Sequence, residues 1–260
     1  MRRLPLIVGL GLAVAAAVGV ALQARHLRNR RAHWRVVLTD RIPVHSKFWR
    51  DFAAAHIEDE HERPLLYVAI GDSAAQGIGA SRPDHSYVGV LARSLRAHTD
   101  RAVRVVNLGV SGATVALALD AQLPKFATLE PDVVTVSIGG NDVASFDPER
   151  FERDLATLFD ALPSHAIVAN LPSFHFLPAE RRVRAANAIV RRLAADRGLT
   201  VAPLHARTRR QGLWGVSTQF AGDLFHSNDR GYRVWASAFE PAVLARLSEL
   251  GNRSAPAGHS

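Results

Sequence analysis

Five short apolar runs, at 65–70, 103–108, 133–138, 166–169 and 199–202, contain only one charged residue among them, Arg104. Each has strand length and lacks the polar alternation of a strand that faces water on one side. Between them, apolar residues recur at helical spacing, as at Tyr87, Leu91 and Leu95, and at Phe151, Leu155, Leu158, Phe159 and Leu162. Strands that are apolar on both faces belong to parallel sheets covered by helices on each side. The expected fold is therefore α/β. It is a three-layer α/β/α sandwich around a doubly wound, mostly parallel five-stranded sheet.

Helix punctuation agrees with this. A helix over 115–123 stops before Pro124. Asp147-Pro148 reads as an N-cap with proline in the first helical position. A long helix over 179–197 ends at Gly198, and a last helix over 232–247 meets Pro241, where a kink is expected. A length of 260 residues suits one such domain with some chain left over. The chain has no cysteine, which excludes a disulfide scaffold, cysteine-ligated metal and a cysteine nucleophile.

Doubly wound folds bind ligands beyond the carboxyl ends of their strands, and polar, glycine-rich clusters follow three of the runs. The first ends in Gly71-Asp72-Ser73-Ala74-Ala75-Gln76-Gly77, the second in Asn107-Leu108-Gly109-Val110-Ser111-Gly112 and the third in Gly139-Gly140-Asn141-Asp142. Asp223-Leu224-Phe225-His226 precedes the last helix. A serine just past a buried strand is where a nucleophile can face a cleft.

Together these residues resemble the GDSL, or SGNH, hydrolase superfamily of esterases and lipases. Its blocks Gly-Asp-Ser-x-x-x-Gly, a second-block glycine, Gly-x-Asn-Asp and Asp-x-x-His are matched in order by 71–77, Gly112, 139–142 and 223–226. The resemblance covers about residues 65–248 and implies a serine esterase. Ser73 would be the nucleophile, His226 its general base and acid, and Asp223 the group that fixes the imidazole tautomer. The oxyanion hole would comprise the backbone N–H groups of Ser73 and Gly112 and the side-chain amide of Asn141. Glycine at 112 is expected to let the main chain approach the oxyanion with no Cβ in the way. Asp72 and Asp142 are read as loop ties, and Asn107 and Gly109 as turn residues.

Rival readings are weaker. Gly109-Val110-Ser111-Gly112-Ala113 fails the Gly-x-Ser-x-Gly elbow at its last position. His175 lies in a loop with no acid close by in sequence. His56, His61 and Glu62 do not form His-Glu-x-x-His, and no Walker-type motif surrounds Lys47 or Lys125, the only lysines. No metal or cofactor is expected. Phe174, Phe176, Trp214, Phe220 and Phe225 could surround an acyl pocket, although many aromatics simply pack.

The N-terminus is of another kind. Residues 4–22 carry no charge and would span about 28 Å as a helix, close to a bilayer core. Residues 1–35 hold seven arginines and no acid, whereas the rest of the chain has 25 basic and 24 acidic residues. The basic excess therefore sits beside the apolar run, which suits a membrane surface and not a nucleic acid. Four segments are expected: an anchor with its basic flank at 1–35; a partly helical connector at 36–63, in which Phe48, Trp49 and Phe52 read as the apolar face of a helix packed on the domain and Glu58-Asp59-Glu60 as its solvated end; a hydrolase domain at 64–250; and a loose tail at 251–260. A cleaved signal and a buried soluble helix are the alternatives to an anchor. Five arginines after the run and two before it favour a cytoplasmic body. The resemblance favours an exported one, and the outward orientation is expected.

The expected protein is a monomeric, membrane-tethered esterase acting on a small-molecule or lipid ester, including lysophospholipids. Removal of 1–35 is expected to spare its activity. A carbohydrate O-acetyl esterase, an acyltransferase, or a non-catalytic envelope protein that binds lipid or glycan in the same cleft are the alternatives.

Overall fold

Alternate side chains of the first strand go to opposite faces of the sheet, as the pleat requires. Leu65, Tyr67 and Ala69 enter one apolar cluster, while Val68 and Ile70 enter another. Both clusters are buried, which explains why the run is apolar at every position. In this computed structural model, residues 4–54, 63–175 and 177–254 are described, with side chains between 17 and 252.

The elements follow in chain order: α1 (Leu4–Ala54), β1 (Leu65–Gly71), α2 (Ser73–Gln76), α3 (Tyr87–Ala97), β2 (Val103–Asn107), α4 (Val115–Ala121), α5 (Leu123–Phe126), β3 (Val133–Ser137), α6 (Pro148–Asp160), β4 (Ile167–Ala169), α7 (Ala179–Asp196), β5 (Thr200–Ala202), α8 (Leu204–Arg210), α9 (Gly212–Thr218) and α10 (Asp229–Ser254). The five strands form one parallel sheet in the order β2-β1-β3-β4-β5. Helices α3, α8 and α10 and the end of α1 cover the first face. Helices α4, α6 and α7 cover the second. Caps expected from sequence are made, with the Asp147 carboxylate accepting from the N–H groups of Glu149 and Arg150 at the start of α6.

The strand order reverses at β1, which has β2 on one side and β3 on the other. The crevice beyond the carboxyl ends of β1 and β3 is thus the switch point at which such sheets bind ligands. Ser73 and Asn141 stand on its two sides.

Several details depart from the sequence reading. Residues 73–76 form a one-turn helix where only a turn was expected. Helices α8 and α9 lie between 202 and 232, where the sequence reading placed no element. Helix α10 passes Pro241 and extends into the expected tail. Helix α1 is continuous across residue 35, where a boundary between anchor and connector was expected. Its end packs on the domain, as the helical spacing of Phe48, Trp49 and Phe52 predicts: Leu38, His45 and Trp49 are buried, and Phe48 and Phe52 pack on the first cluster. Among the described residues no helix is long and apolar enough to cross a membrane. The expected membrane segment, 4–22, is helical in backbone, but its side chains up to residue 16 lie outside the described ones. The acidic run 58–60, His56, His61, Glu62 and Phe176 also lie outside them.

Candidate active site

Asp72 starts the site. Its carboxylate Oδ1 accepts the N–H of Ala74 at 2.8 Å and so caps α2. Ser73 is the first helical residue, and its own N–H precedes the helical ladder, so that donor stays available at the crevice. Burial is the main influence on the Asp72 carboxyl and pushes it up to about 6, against the pull of the Ala74 N–H and the positive charge of His226.

Ser73 is itself buried, and its Oγ lies 3.1 Å from Nε2 of His226. On the other side of the ring, Nδ1 lies 2.6 Å from Oδ2 of Asp223. The second oxygen of Asp223 accepts the N–H groups of Phe225 and His226, both at 3.1 Å. Burial raises the Asp223 carboxyl, but the hydrogen bond and charge of His226 and these two N–H groups outweigh it. The group sits below its ordinary value as a result. A carboxylate that accepts from Nδ1–H leaves Nε2 as the free acceptor for a serine proton.

Bringing Asp223 and His226 onto one another over three residues needs a tight turn. Leu224 takes φ +58°, a conformation that costs a non-glycine residue about 1 kcal/mol or more.

The other expected donors are held as a pair. One N–H of the Asn141 amide donates to the carbonyl of Ala113 at 2.9 Å, leaving its second N–H for another acceptor. The neighbouring Asp142 accepts the N–H of Val115 at 3.2 Å. The loop after β3 is thereby tied to the loop after β2 that carries Gly112. Gly112 has φ +78°, and a Cβ there would meet nothing within 4 Å. Within the protein it is the backbone angle, and not a neighbouring atom, that favours glycine here.

Asn107 ties the second turn to α2, its amide donating to the carbonyl of Ala75 at 2.8 Å. Ser111 lies in that turn, away from the lining of the cavity at Ser73. His175 does line the cavity; its main-chain N–H donates to the Ser173 hydroxyl, and burial lowers its imidazole pKa. Neither residue is brought to the Asp223 carboxylate.

The cavity has a volume of about 550 Å³. Its walls include Ser73, Asn141 and His226 together with Leu171, Phe174, Leu177, Val216, Phe220, Leu224, Phe225 and Trp235. Of the aromatics expected around it, Phe174, Phe220 and Phe225 line it, whereas Trp214 faces outward.

Two parts of this site were missed by sequence reasoning. The first is Glu180, a buried carboxylate on α7. It accepts from the Ser173 hydroxyl at 3.1 Å and the Phe174 N–H at 2.9 Å, and its other oxygen meets His205 at 2.9 Å. It holds the loop that forms one cavity wall. The second is α1. The Nε–H of Arg31 donates to the carbonyl of Asp223 at 3.3 Å, and Arg31 lines the cavity. The indole of Trp34 lies so close to Gly222 that any Cβ there would overlap it. Further along α1, ring nitrogens of His45 and Trp49 each lie 3.0 Å from the carbonyl of Gln76, at the end of α2. No motif signals these contacts. The aromatic spacing of Phe48, Trp49 and Phe52 was the only trace.

The GDSL-like Lipase/Acylhydrolase family matches residues 69–234. Among solved structures, the chain is similar to an alpha/beta hydrolase enzyme from the metagenome of Lake Arreo, Spain, with 27% identity and a TM-score of 0.60 over 70% of this chain and 96% of that one. An acetylxylan esterase from Geobacillus stearothermophilus has 22% identity and a TM-score of 0.56, over 69% of this chain and 94% of that one. A lipase/acylhydrolase from Enterococcus faecalis has 20% identity and a TM-score of 0.56, over 70% and 96%. The latter two likenesses concern the fold. No curated protein matches the chain.

Proposed function

The chain belongs to the GDSL-like lipase/acylhydrolase family of ester-bond hydrolases, and from that premise we propose that it cleaves carboxylic esters with apolar acyl chains through an acyl-enzyme on Ser73. The observation that carries this reading is the position of His226, whose two ring nitrogens lie within hydrogen-bond reach of Ser73 and Asp223.

Ser73 Oγ attacks the acyl carbon while its proton passes to Nε2 of His226. The imidazolium is stabilised by the Asp223 carboxylate. The carbonyl oxygen becomes an oxyanion and accepts from the N–H groups of Ser73 and Gly112 and the free amide N–H of Asn141. The C–O bond to the alcohol breaks, and His226 returns the proton to the leaving oxygen. Water then attacks the acyl-serine with His226 as base. The acid leaves and Ser73 regains its proton.

The apolar lining of a cavity of about 550 Å³ favours an acyl chain of several carbons over acetyl. Each buried methylene is worth about 0.8 kcal/mol, or nearly fourfold in kcat/KM. A series of soluble esters from acetate to octanoate should therefore rise in kcat/KM until the cavity is filled, and Ser73→Ala should abolish turnover throughout. If acetate is the best substrate, the carbohydrate O-acetyl reading gains. Retained turnover in Ser73→Ala would exclude this nucleophile.

The apolar run 4–22 and its arginine flank support a membrane tether; the outward orientation of the hydrolase domain rests on the family resemblance and runs against the arginine count on the two sides of the run. Protease digestion of intact and opened cells tests the orientation: an outer domain is cut in both, an inner one only after opening.

A further inference from the structure

We propose that the mouth of the Ser73 cavity docks on an anionic lipid bilayer, with Leu213 and Trp214 of α9 as the inserted tip. The inference goes beyond the acyl-esterase reading, since it concerns the surface around the cavity and not the reaction within it.

Exposed large hydrophobics are not scattered over this domain. Outside α1, those among the described residues are Leu117, Leu177, Leu213, Trp214, Leu224 and Phe225. All but Leu117 surround the cavity. Leu177, Leu224 and Phe225 line it, and Leu213 and Trp214 precede its lining residues Gly215 and Val216 on α9. Leu213 is 81% exposed and Trp214 69%. A contiguous apolar patch with a polar rim marks an interaction surface.

The charge of the rim selects the partner. Residues 197–222 contain no acid, and α8 ends in Arg207, Arg209 and Arg210 immediately before the apolar tip. A cleft lined by Arg181, Arg184 and Arg209 shares Ser173, His175 and Leu177 with the cavity. Its one carboxylate is the buried Glu180, which Arg184 and Arg209 approach at 3.6 and 3.4 Å. Three guanidiniums against one carboxylate leave a net positive rim, which suits lipid phosphates. Tryptophan suits the level of the headgroups, with an apolar body and a polar N–H.

Helix α1 adds a separate indication. Arg31 lines the same cavity, and Leu22, the end of the apolar run, lies nine residues back, about 14 Å along the helix. The run therefore departs from the mouth and not from the far side of the molecule.

The test uses the full-length chain in phosphatidylcholine vesicles with and without phosphatidylglycerol, some with brominated acyl chains. Tryptophan fluorescence should be quenched by the brominated lipid, and Trp214→Phe should lose most of that quenching. A Leu213→Ser and Trp214→Ser double variant should hydrolyse an ester embedded in phosphatidylglycerol vesicles about tenfold more slowly or worse, while keeping its turnover of a soluble short-chain ester. High salt should reproduce part of the loss. Unquenched Trp214, or equal effects on the embedded and soluble esters, would overturn the proposal. So would shielding of Trp214 that follows protein concentration and not lipid, since that marks a second copy or another protein as the occupant.

Discussion

The side chain of Arg31 donates to the main-chain carbonyl of Asp223, a contact across 192 residues of sequence. With Trp34 on Gly222 and with His45 and Trp49 at the Gln76 carbonyl, helix α1 braces both the serine helix and the acid turn. These braces lie outside the residues that match the family, 69–234.

Removal of residues 1–35 should accordingly impair the enzyme, against the expectation from sequence. Trp34→Ala isolates the effect. Loss of a half-buried indole should cost about 1–3 kcal/mol of stability and lower kcat more than it raises KM, since it loosens Asp223 and not the cavity. Kinetics on a soluble ester, with unfolding monitored in parallel, would measure both. Unchanged kcat in Trp34→Ala would reduce α1 to a tether.

Asn141→Ala should lower kcat by about 10²–10³, the usual cost of one oxyanion donor, with a smaller change in KM. The variant also loses the tie to Ala113. Asn141→Asp provides a control, since it keeps an oxygen of similar shape but opposes the oxyanion. Its turnover should be at least as poor.

Glu180→Gln should alter selectivity more than chemistry. The carboxylate holds Ser173 and Phe174, and Phe174 lines the cavity. Burial raises its pKa, and hydrogen bonds from His205, Phe174 and Ser173 bring it below its ordinary value. Such a group adds stability above its unfolded pKa and loses it as pH falls through the folded one. Acyl-chain profiles should flatten in the variant, with acetate least affected. An unchanged profile would mean that the loop keeps its place without Glu180.

The pH dependence of stability should carry the signature of Asp72. Its folded pKa, pushed up to about 6 from an ordinary 3.8, means that the native state holds the proton longer. Between about pH 4 and 6 the unfolded chain binds fewer protons, so this group makes stability fall as pH rises. The full penalty is at most about 3 kcal/mol above that window. Asp72→Asn keeps an acceptor for the Ala74 N–H and removes the charge. Urea unfolding from pH 4 to 8 should show a gain on the order of 1–3 kcal/mol at pH 8 and little gain at pH 4. Equal effects at both ends would exclude this titration.

Sheet and site were legible in the sequence to different depths. The five strands fall where the apolar runs lie, because burial on both faces leaves an unmistakable pattern. Ser73, Asp223 and His226 could be named because each sits in a short local block at a strand end or before a helix. The order of the strands was not legible, since parallel pairing depends on crossovers and not on any one run. Nor were Glu180, Arg31 and Trp34. They act through single contacts across the fold, and a lone glutamate or arginine carries no sign of its distant partner. The continuity of α1 was hidden by its change of character, from apolar run to arginine flank to aromatic face. Helix propensity does not follow such changes in polarity.

Ser73 is the proposed nucleophile, activated by His226 and Asp223. The most direct measurement is labelling of the full-length protein with a fluorophosphonate, which needs an activated serine and an oxyanion hole that accepts the phosphoryl oxygen. The label should fall on the peptide containing Ser73, one per chain. Ser73→Ala should abolish it, His226→Ala should suppress it, and Ser111→Ala should leave it in place. A label on Ser111, or none on a protein shown to be folded by circular dichroism, would contradict the assignment.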